Sequence, residues 1–248
     1  MKIILCGACG KMGKMISELA GAQIVCGVDL HPSPMPYPVY QSFDEIKEQA
    51  DCLIDFSSAT NLKERLDYCK KNHLPAVLAS TGYTEADCKL IEETSKVIPV
   101  FQTGNFSLGI NLLQMLAKKA ASILGGDFDV EIIERHHNQK KDAPSGTALM
   151  LAKSVNEGYG NQKEFIYGRE GIVGARKPSE IGIHAVRGGT IVGEHEVMFA
   201  GEDEIVTLSH SARSRKVFAS GALKAAAWLV KQTAGRYDMS NLLADLLD

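Results

Sequence analysis

Three things are scarce in this 248-residue chain. No apolar run approaches the roughly 20 residues that a membrane-spanning helix requires. No basic-then-apolar leader precedes the first strand pattern, which already includes position 3, so a cytoplasmic protein is expected. Basic residues are not in surplus: 27 Lys and Arg stand against 30 Asp and Glu, for a formal net charge of -3. Nucleic-acid-binding domains are normally basic, so neither a nucleic-acid nor a membrane partner is expected. Cysteine is confined to one end, with none after Cys88. Cys6 and Cys9 form a C-x-x-C, but no second pair accompanies it. Cys6 ends an apolar strand pattern and Cys9 occupies a glycine turn, so small buried side chains fit better than a redox or zinc site. Disulfides are not expected in a reducing compartment.

What the chain does have begins at its amino end. Lys2 to Cys6 reads as a short apolar strand and runs into Gly7-Ala8-Cys9-Gly10-Lys11-Met12-Gly13. Apolar residues then recur with helical spacing at Met12, Ile16, Leu19 and Ala20. A strand, a glycine turn and a helix start are the opening of a dinucleotide-binding fold. Gly7 permits the tight turn, Gly10 lets backbone approach a pyrophosphate, and Gly13 allows close helix–strand packing. The spacing G-x-x-G-x-x-G departs from the commoner G-x-G-x-x-G, so context has to support it. It does: Ala22 to Val28 reads as a second strand, ending at Asp29, sixteen residues after Gly13. An acidic group there can accept the ribose hydroxyls of an adenosine.

The second feature is Glu134-Arg135-His136-His137-Asn138-Gln139-Lys140-Lys141-Asp142-Ala143-Pro144-Ser145-Gly146-Thr147. Asp142 or Ser145 can cap a helix, and Pro144 suits a first turn. The N–H groups of Gly146 and Thr147 would then point out of the helix start, where an anion can be held. Histidines titrate near neutral pH, and lysines supply a positive charge and a proton. The run suits binding a carboxylated molecule and moving protons on it. No third ligand sits at a metal-site spacing, so no metal is expected.

Strand patterns at 2–6, 23–28, 52–56, 75–79 and 98–102 alternate with helical ones near 11–20, 60–72 and 84–96. That pattern predicts an α/β unit of the Rossmann type, a doubly wound parallel sheet. The proline-rich stretch from His31 to Tyr40 reads as loop. A helix is predicted over 108–124, with Leu112, Leu113, Met115 and Leu116 as core. Beyond it come a strand at 128–135, a helix from about Ser145 to Glu157, a loop to about Ile181, and strands at 183–187, 194–200 and 204–211. This predicts a second, α+β domain on a mostly antiparallel sheet, followed by helices at 217–232 and 240–247. Gly188-Gly189-Thr190 and Gly193-Glu194-His195 read as a tight connection. His195 and His210 lie in strand patterns and read as structural. In the strand 194–200, Val197 and Phe199 share one face and Met198 and Ala200 the other. With no spare helix to cover the second face, a symmetric partner is the natural cover.

Taken together with Asp55-Phe56-Ser57, Ser80-Thr81-Gly82-Tyr83, Gly104-Asn105-Phe106-Ser107 and His184-Ala185-Val186-Arg187-Gly188-Gly189, these motifs resemble the 4-hydroxy-tetrahydrodipicolinate (dihydrodipicolinate) reductase family over essentially the whole chain. The resemblance implies NADH- or NADPH-dependent reduction of a small cyclic dicarboxylate in lysine and diaminopimelate synthesis, by a homotetramer built through the substrate-domain sheets. It implies a discontinuous dinucleotide-binding domain, 1–106 and 216–248, around a substrate-binding and oligomerisation domain, 107–215. It assigns His136 as acid/base, Lys140 as proton donor, and His137, Gly146 and Thr147 to the substrate. Gly7, Ala8, Cys9, Gly10, Lys11 and Met12 take the pyrophosphate and Asp29 the adenosine ribose. Ala79, Ser80 and Thr81, with Thr103, Gly104, Asn105 and Phe106, flank the nicotinamide. Many relatives carry arginine after the acidic residue, whereas this chain has Leu30, so NADH is expected to bind at least as well as NADPH, with Lys11 and Lys14 able to compensate. Rival readings are another two-domain nicotinamide oxidoreductase, such as an aspartate or semialdehyde dehydrogenase, and a non-catalytic nucleotide sensor. The semialdehyde enzyme needs a nucleophilic cysteine at the start of its substrate domain, and no cysteine follows Cys88. A sensor would have no need of His136 with Lys140.

Overall fold

The computed structural model describes residues 1–247; Asp248, the last residue of the expected 216–248 segment, lies outside the described residues. In chain order the elements are β1 Ile3–Cys6, α1 Lys11–Ala20, β2 Ile24–Val28, β3 Val39–Tyr40, β4 Cys52–Asp55, α2 Leu62–Lys71, β5 Ala76–Leu78, α3 Glu85–Ser95 and β6 Pro99–Gln102. There follow α4 Leu108–Leu124, β7 Asp129–His136, α5 Gly146–Gly158, β8 Glu164–Tyr167, β9 Glu180–Arg187, β10 Gly193–Ala200 and β11 Ile205–Ala212. The chain closes with α6 Lys216–Leu229, β12 Gly235–Tyr237 and α7 Met239–Leu247. It divides into two compact units, Met1–Leu108 with Lys216–Asp248, and Gly109–Arg215.

The first unit holds a seven-stranded sheet in the order β12-β6-β5-β4-β1-β2-β3, parallel at every pairing. Its central strands β1 and β4 are buried at all positions, as a sheet covered on both faces demands. On one face Ile3, Leu5 and Ile54 meet Ile16 of α1 and Ala222, Ala225, Ala226 and Leu229 of α6. On the other, Ile4, Leu53 and Leu78 meet Leu66 of α2 and Ile91 of α3. The run of alanines on α6 brings its backbone close to the sheet. Two short strands differ from the sequence reading. β3 lies inside the proline-rich stretch expected to be loop, and β12 is only Gly-Arg-Tyr. Both are edge strands, defined by pairing with a formed neighbour rather than by apolar periodicity.

The second unit has the sheet β11-β10-β7-β9-β8. The antiparallel pairing expected from sequence holds for β7 with β10 and β10 with β11. β9 pairs parallel with both β7 and β8, so the sheet is mixed. The chain achieves this through a β7-α5-β8 crossover. β8 lies in the stretch read as loop, because its Glu-Phe-Ile-Tyr is too short and half-buried to show a period. Burial alternates along β7 and β10. Val130, Ile132, Val197 and Phe199 face inward onto Ile110, Leu113 and Ala117 of α4 and onto Leu151, Ala152 and Val155 of α5. On α4 only Leu113 of the four expected core residues is buried; Leu112, Met115 and Leu116 are exposed. The buried stripe uses Ile110, Asn111, Leu113, Ala117 and Ala121, where small side chains admit the sheet closely. No helix among the described residues is long and apolar enough to cross a membrane.

Gly221 of α6 lies against the backbone of Phe106, and a Cβ there would stand 1.7 Å from the Phe106 carbonyl oxygen. Gly221→Ala is therefore expected to destabilise the first unit by about 1–3 kcal/mol, the usual cost of overpacking. Thermal unfolding would show a fall of several degrees.

Candidate functional site

In the first unit the turn after β1 is packed so tightly that only glycine fits at two of its positions. Gly7 has φ of +74°, and a Cβ on it would stand 2.8 Å from the Phe56 carbonyl oxygen. A Cβ on Gly13 would stand 2.1 Å from the Gly7 carbonyl oxygen, so α1 and β1 approach as only glycine allows. The Gly7 N–H donates to Val28 O at 2.8 Å, and Gly10 N–H to Gly7 O at 3.1 Å. Ala8 is buried, Cys9 and Met12 are half-buried, and Gly10 and Lys11 are exposed at the helix start. Asp29 follows β2, and its carboxylate accepts the N–H of Cys9 at 2.9 Å and of His31 at 3.0 Å. This bond ties the acidic residue directly to the glycine turn. Cys9 Sγ in turn accepts the N–H of Ser33 at 3.3 Å, which gives the turn cysteine a packing role. Beside the turn lies a cavity of about 280 Å³, bordered by Gly7, Gly10, Asp29, Leu30, His31 and Ser57.

The turns at the ends of β4, β5 and β6 are fixed by buried polar groups. Asp55 is fully buried and paired with Arg65 Nε at 2.9 Å. It also accepts the Ser57 N–H at 2.9 Å. Ser80 is buried and donates to Ser57 O at 3.0 Å, joining the turn after β4 to that after β5. Ala79 is half-buried and Thr81 exposed. After β6, Asn105 Oδ1 accepts the Ser107 N–H at 2.8 Å, next to the start of α4, and Thr103 Oγ1 accepts the Asn105 N–H at 3.2 Å. Phe106 is buried against Phe56 and Phe101, and Gly104 is exposed.

In the second unit β7 ends at His136, and the chain turns back toward α5. Ser145 caps that helix, its Oγ accepting the Ala148 N–H at 3.1 Å. Asp142, the other candidate cap, instead pairs with Lys140 Nζ at 2.9 Å. Pro144 precedes the cap rather than entering the first turn. Gly146 and Thr147 occupy the first turn of α5, whose N–H groups a helix start presents to an anion. His137 lies just past the strand and is half-buried.

What holds these residues together is Glu134, whose role was not read from the sequence. It is fully buried. Arg187, at the end of β9, grips it with both terminal nitrogens, at 2.8 and 2.7 Å. The Ser145 N–H donates to it at 3.0 Å and His136 Nδ1 lies 2.6 Å away. Arg187 also donates to the Asp142 carbonyl at 2.6 Å, so the lysine-bearing loop is tied to the same centre. Burial works to raise the Glu134 pKa, but Arg187, His136 and the Ser145 N–H together outweigh it and hold the carboxyl below its usual range. His195, read from its strand pattern as structural, belongs here too. Its ring stands edge to face with His136 at 5.2 Å, and its Nε2 is 2.9 Å from Ser145 Oγ. The available signal was spacing: Glu134 and His136 sit two apart on one strand face, and Arg187 is the register partner of His136.

Burial, and next the proximity of the His136 ring, push the His195 imidazole down from 6.5 to about 4. Between those values the unfolded chain holds a proton that the folded chain does not. Stability is therefore lost as pH falls through that window, by about 3 kcal/mol at most. Above 6.5 the effect vanishes, because both states are neutral. Denaturant midpoints recorded from pH 7 to pH 4 should decline, and His195→Gln should flatten the decline. An unchanged slope in that variant would assign the acid sensitivity to other groups.

Two family models cover almost the entire chain: dihydrodipicolinate reductase, N-terminus, matches residues 1–106, and dihydrodipicolinate reductase, C-terminus, matches residues 109–243. The 4-hydroxy-tetrahydrodipicolinate reductase of Caldanaerobacter subterraneus subsp. tengcongensis is 50% identical over 247 residues, covering 98% of each chain. Among solved structures, dipicolinate-bound dihydrodipicolinate reductase from Paenisporosarcina sp. TG-14 superposes with a TM-score of 0.80 at 25% identity, over 96% of this chain and 97% of that one. Aspartate dehydrogenase from Thermotoga maritima shares the fold alone, with a TM-score of 0.53 at 13% identity over 92% and 96% of the two chains. The glycine cradle, the histidine-lysine run and its buried glutamate thus occur in a chain that belongs to the dihydrodipicolinate reductase family.

Proposed function

We propose that this protein reduces 4-hydroxy-tetrahydrodipicolinate to tetrahydrodipicolinate with NADH or NADPH, as a cytoplasmic homotetramer serving lysine and diaminopimelate synthesis. The observation that carries the reading is the concentration of His136, Lys140 and the start of α5 around one buried carboxylate in a chain with this family membership. Residues 1–106 and 216–248 form the dinucleotide-binding domain, and residues 107–215 the substrate-binding and oligomerisation domain. The turn fits the cofactor: a side chain at Gly7 or Gly13 would collide with backbone and push the turn apart, and Lys11 adds positive charge at the helix start. Gly7 through Met12 would hold the pyrophosphate. Asp29 keeps lone pairs for the ribose hydroxyls beyond its two N–H bonds. The turns at Ala79–Thr81 and Thr103–Phe106 would hold the nicotinamide end.

When bound, the nicotinamide supplies a hydride. The overall change would replace the substrate's ring hydroxyl by hydrogen, and the departing hydroxyl needs a proton to leave as water. The protein's work is to bind two carboxylates and to deliver protons. One carboxylate is assigned to the N–H groups of Gly146 and Thr147, and the other carboxylate or the ring to His137. Lys140 Nζ holds the proton that is delivered, and His136 acts as acid/base. In the free chain Lys140 is paired with Asp142, whose side chain is 61% exposed. Such an exposed pair is weak and readily exchanged for a substrate anion.

Mixing the protein with NADH and the freshly formed condensation product of pyruvate and aspartate semialdehyde should consume NADH. No consumption with either nicotinamide would overturn the reading. Lys140→Ala should lower kcat by roughly 10²–10⁴-fold, the scale of general acid catalysis, with NADH affinity nearly unchanged. His136→Ala should act similarly, and His137→Ala mainly on KM. Near-full kcat in Lys140→Ala would reject that residue as the donor.

The cofactor preference rests on Asp29 and Leu30. The carboxylate repels a 2′-phosphate, and Leu30, largely exposed beside it, offers no cation. NADH is expected to bind at least as tightly as NADPH, and Leu30→Arg should shift preference toward NADPH. A much lower Kd for NADPH in the wild type would point instead to Lys11 and Lys14.

The tetramer is supported by the outer face of the second sheet. Both helices of that unit cover the inner face, whereas Met198 and Ala200 lie on the other with Ile133. Light scattering should give a mass near four times 26.8 kDa, and Met198→Glu should reduce it. A monomeric wild type would reject the assembly; a tetrameric Met198→Glu would move the interface elsewhere.

A further inference from the structure

We infer that Glu134 is a positioning residue that fixes His136 as the Nδ1–H tautomer, so that Nε2 is the nitrogen that exchanges protons in the reaction proposed above. The inference rests on that reading for its chemistry, but its geometry stands alone. A carboxylate gripped by a bidentate guanidinium stays ionised and can only accept. Arg187 occupies one site on each Glu134 oxygen, at 2.8 and 2.7 Å. The Ser145 N–H fills a second site on Oε1 at 3.0 Å. His136 Nδ1, 2.6 Å from Oε2, must therefore be the donor. With its one ring proton committed there, the neutral imidazole offers a lone pair at Nε2.

The surroundings of the ring agree. From β10, Gly193 faces it, and a Cβ at that position would stand 3.0 Å from Nε2. A side chain at that position would crowd Nε2, so glycine keeps the nitrogen from being blocked by β10. His195 from the same strand stands edge-on to the ring and, as a neutral group, adds no charge. Arg187 from β9 balances Glu134, so the carboxylate orients the imidazole without demanding that it be charged. The arrangement parallels the buried carboxylate that sets the histidine tautomer in a serine-protease triad, where the amide replacement costs about 10⁴-fold in kcat.

Two variants separate orientation from shape. In Glu134→Gln the side chain keeps its size, but its NH₂ group can donate to His136 Nδ1 and drive the ring proton to Nε2. In Glu134→Asp the side chain is shorter yet remains an anionic acceptor. A tautomer role makes the isosteric glutamine the worse substitution: kcat should fall roughly 10²–10⁴-fold with NADH Kd unchanged. Aspartate should recover at least tenfold of that loss. A packing role would reverse the order. Glutamine retaining more than a third of wild-type kcat, or aspartate falling below glutamine, would overturn the inference.

A substrate-free measurement keeps the test independent of the proposed activity and of variant folding. Nitrogen-15 spectra of histidine-labelled wild-type protein, assigned by the signals lost in His136→Asn, should show Nδ1 protonated and Nε2 bare when the ring is neutral. Glu134→Gln, where folded, should show the opposite. An Nε2–H tautomer in the wild type would overturn the inference outright. A correct tautomer with no reduction of the proposed substrate would instead reject the functional reading and leave Glu134's role intact.

Discussion

A negative charge with no access to water must be answered in full by its neighbours, and Glu134 imposes that constraint on the second unit. Its four hydrogen bonds come from three residues on separate pieces of chain: His136 at the end of β7, Ser145 at the cap of α5 and Arg187 at the end of β9. Removing one would leave an uncompensated buried charge, so the three ends are locked to one another. The locked ends carry the functional groups. His136 is two residues from the carboxylate, Ser145 starts the helix with Gly146 and Thr147 in its first turn, and Arg187 holds the carbonyl of Asp142 beside Lys140. One buried carboxylate thereby joins an imidazole to a helix start, and its arginine partner ties in the loop that carries Lys140.

The first unit uses the same device with different parts. Asp55, the last residue of β4, is fully buried against Arg65 of α2 and accepts the Ser57 N–H. Ser80 closes the arrangement by bonding Ser57 O, so two turns at neighbouring strand ends move as one. Buried ion pairs seldom add net stability, since desolvation offsets most of their attraction. What they contribute here is fixed turn geometry at the ends of strands, where irregular backbone would otherwise be free to vary.

Much of this was legible in sequence because the relevant signals are local. The glycine turn, the alternation of β1 to β6 with α1 to α3, the α4 span and the Ser145 cap each follow from residues within one element. The failures share a different cause. β3, β8 and β12 are short strands made by pairing with distant neighbours. The parallel placement of β9 beside β7 follows from a crossover through α5 and β8, which no periodicity records. The exposure of Leu112, Met115 and Leu116 followed from alanines winning the contact with the sheet. Glu134, Arg187 and His195 were each visible as residues, yet their meeting depends on three-strand register and could not be read from any window. The roles expected of His136 and Lys140 came from family resemblance, whereas strand register explains how Arg187 comes to meet Glu134 and His136.

The charge balance within this cluster bears on why it holds two histidines so close together. Glu134 and Arg187 cancel, leaving His136 and His195 as buried neighbours with ring centroids 5.2 Å apart. Two imidazolium rings there would repel, and only His136 contacts a carboxylate that could stabilise its charge. His195 is therefore the ring that stays neutral, with its Nε2 directed to the Ser145 hydroxyl that caps α5. Of two adjacent histidines on neighbouring strands, one is confined to holding a helix cap and the other is held by a carboxylate on one nitrogen, with only glycine of the next strand against the second.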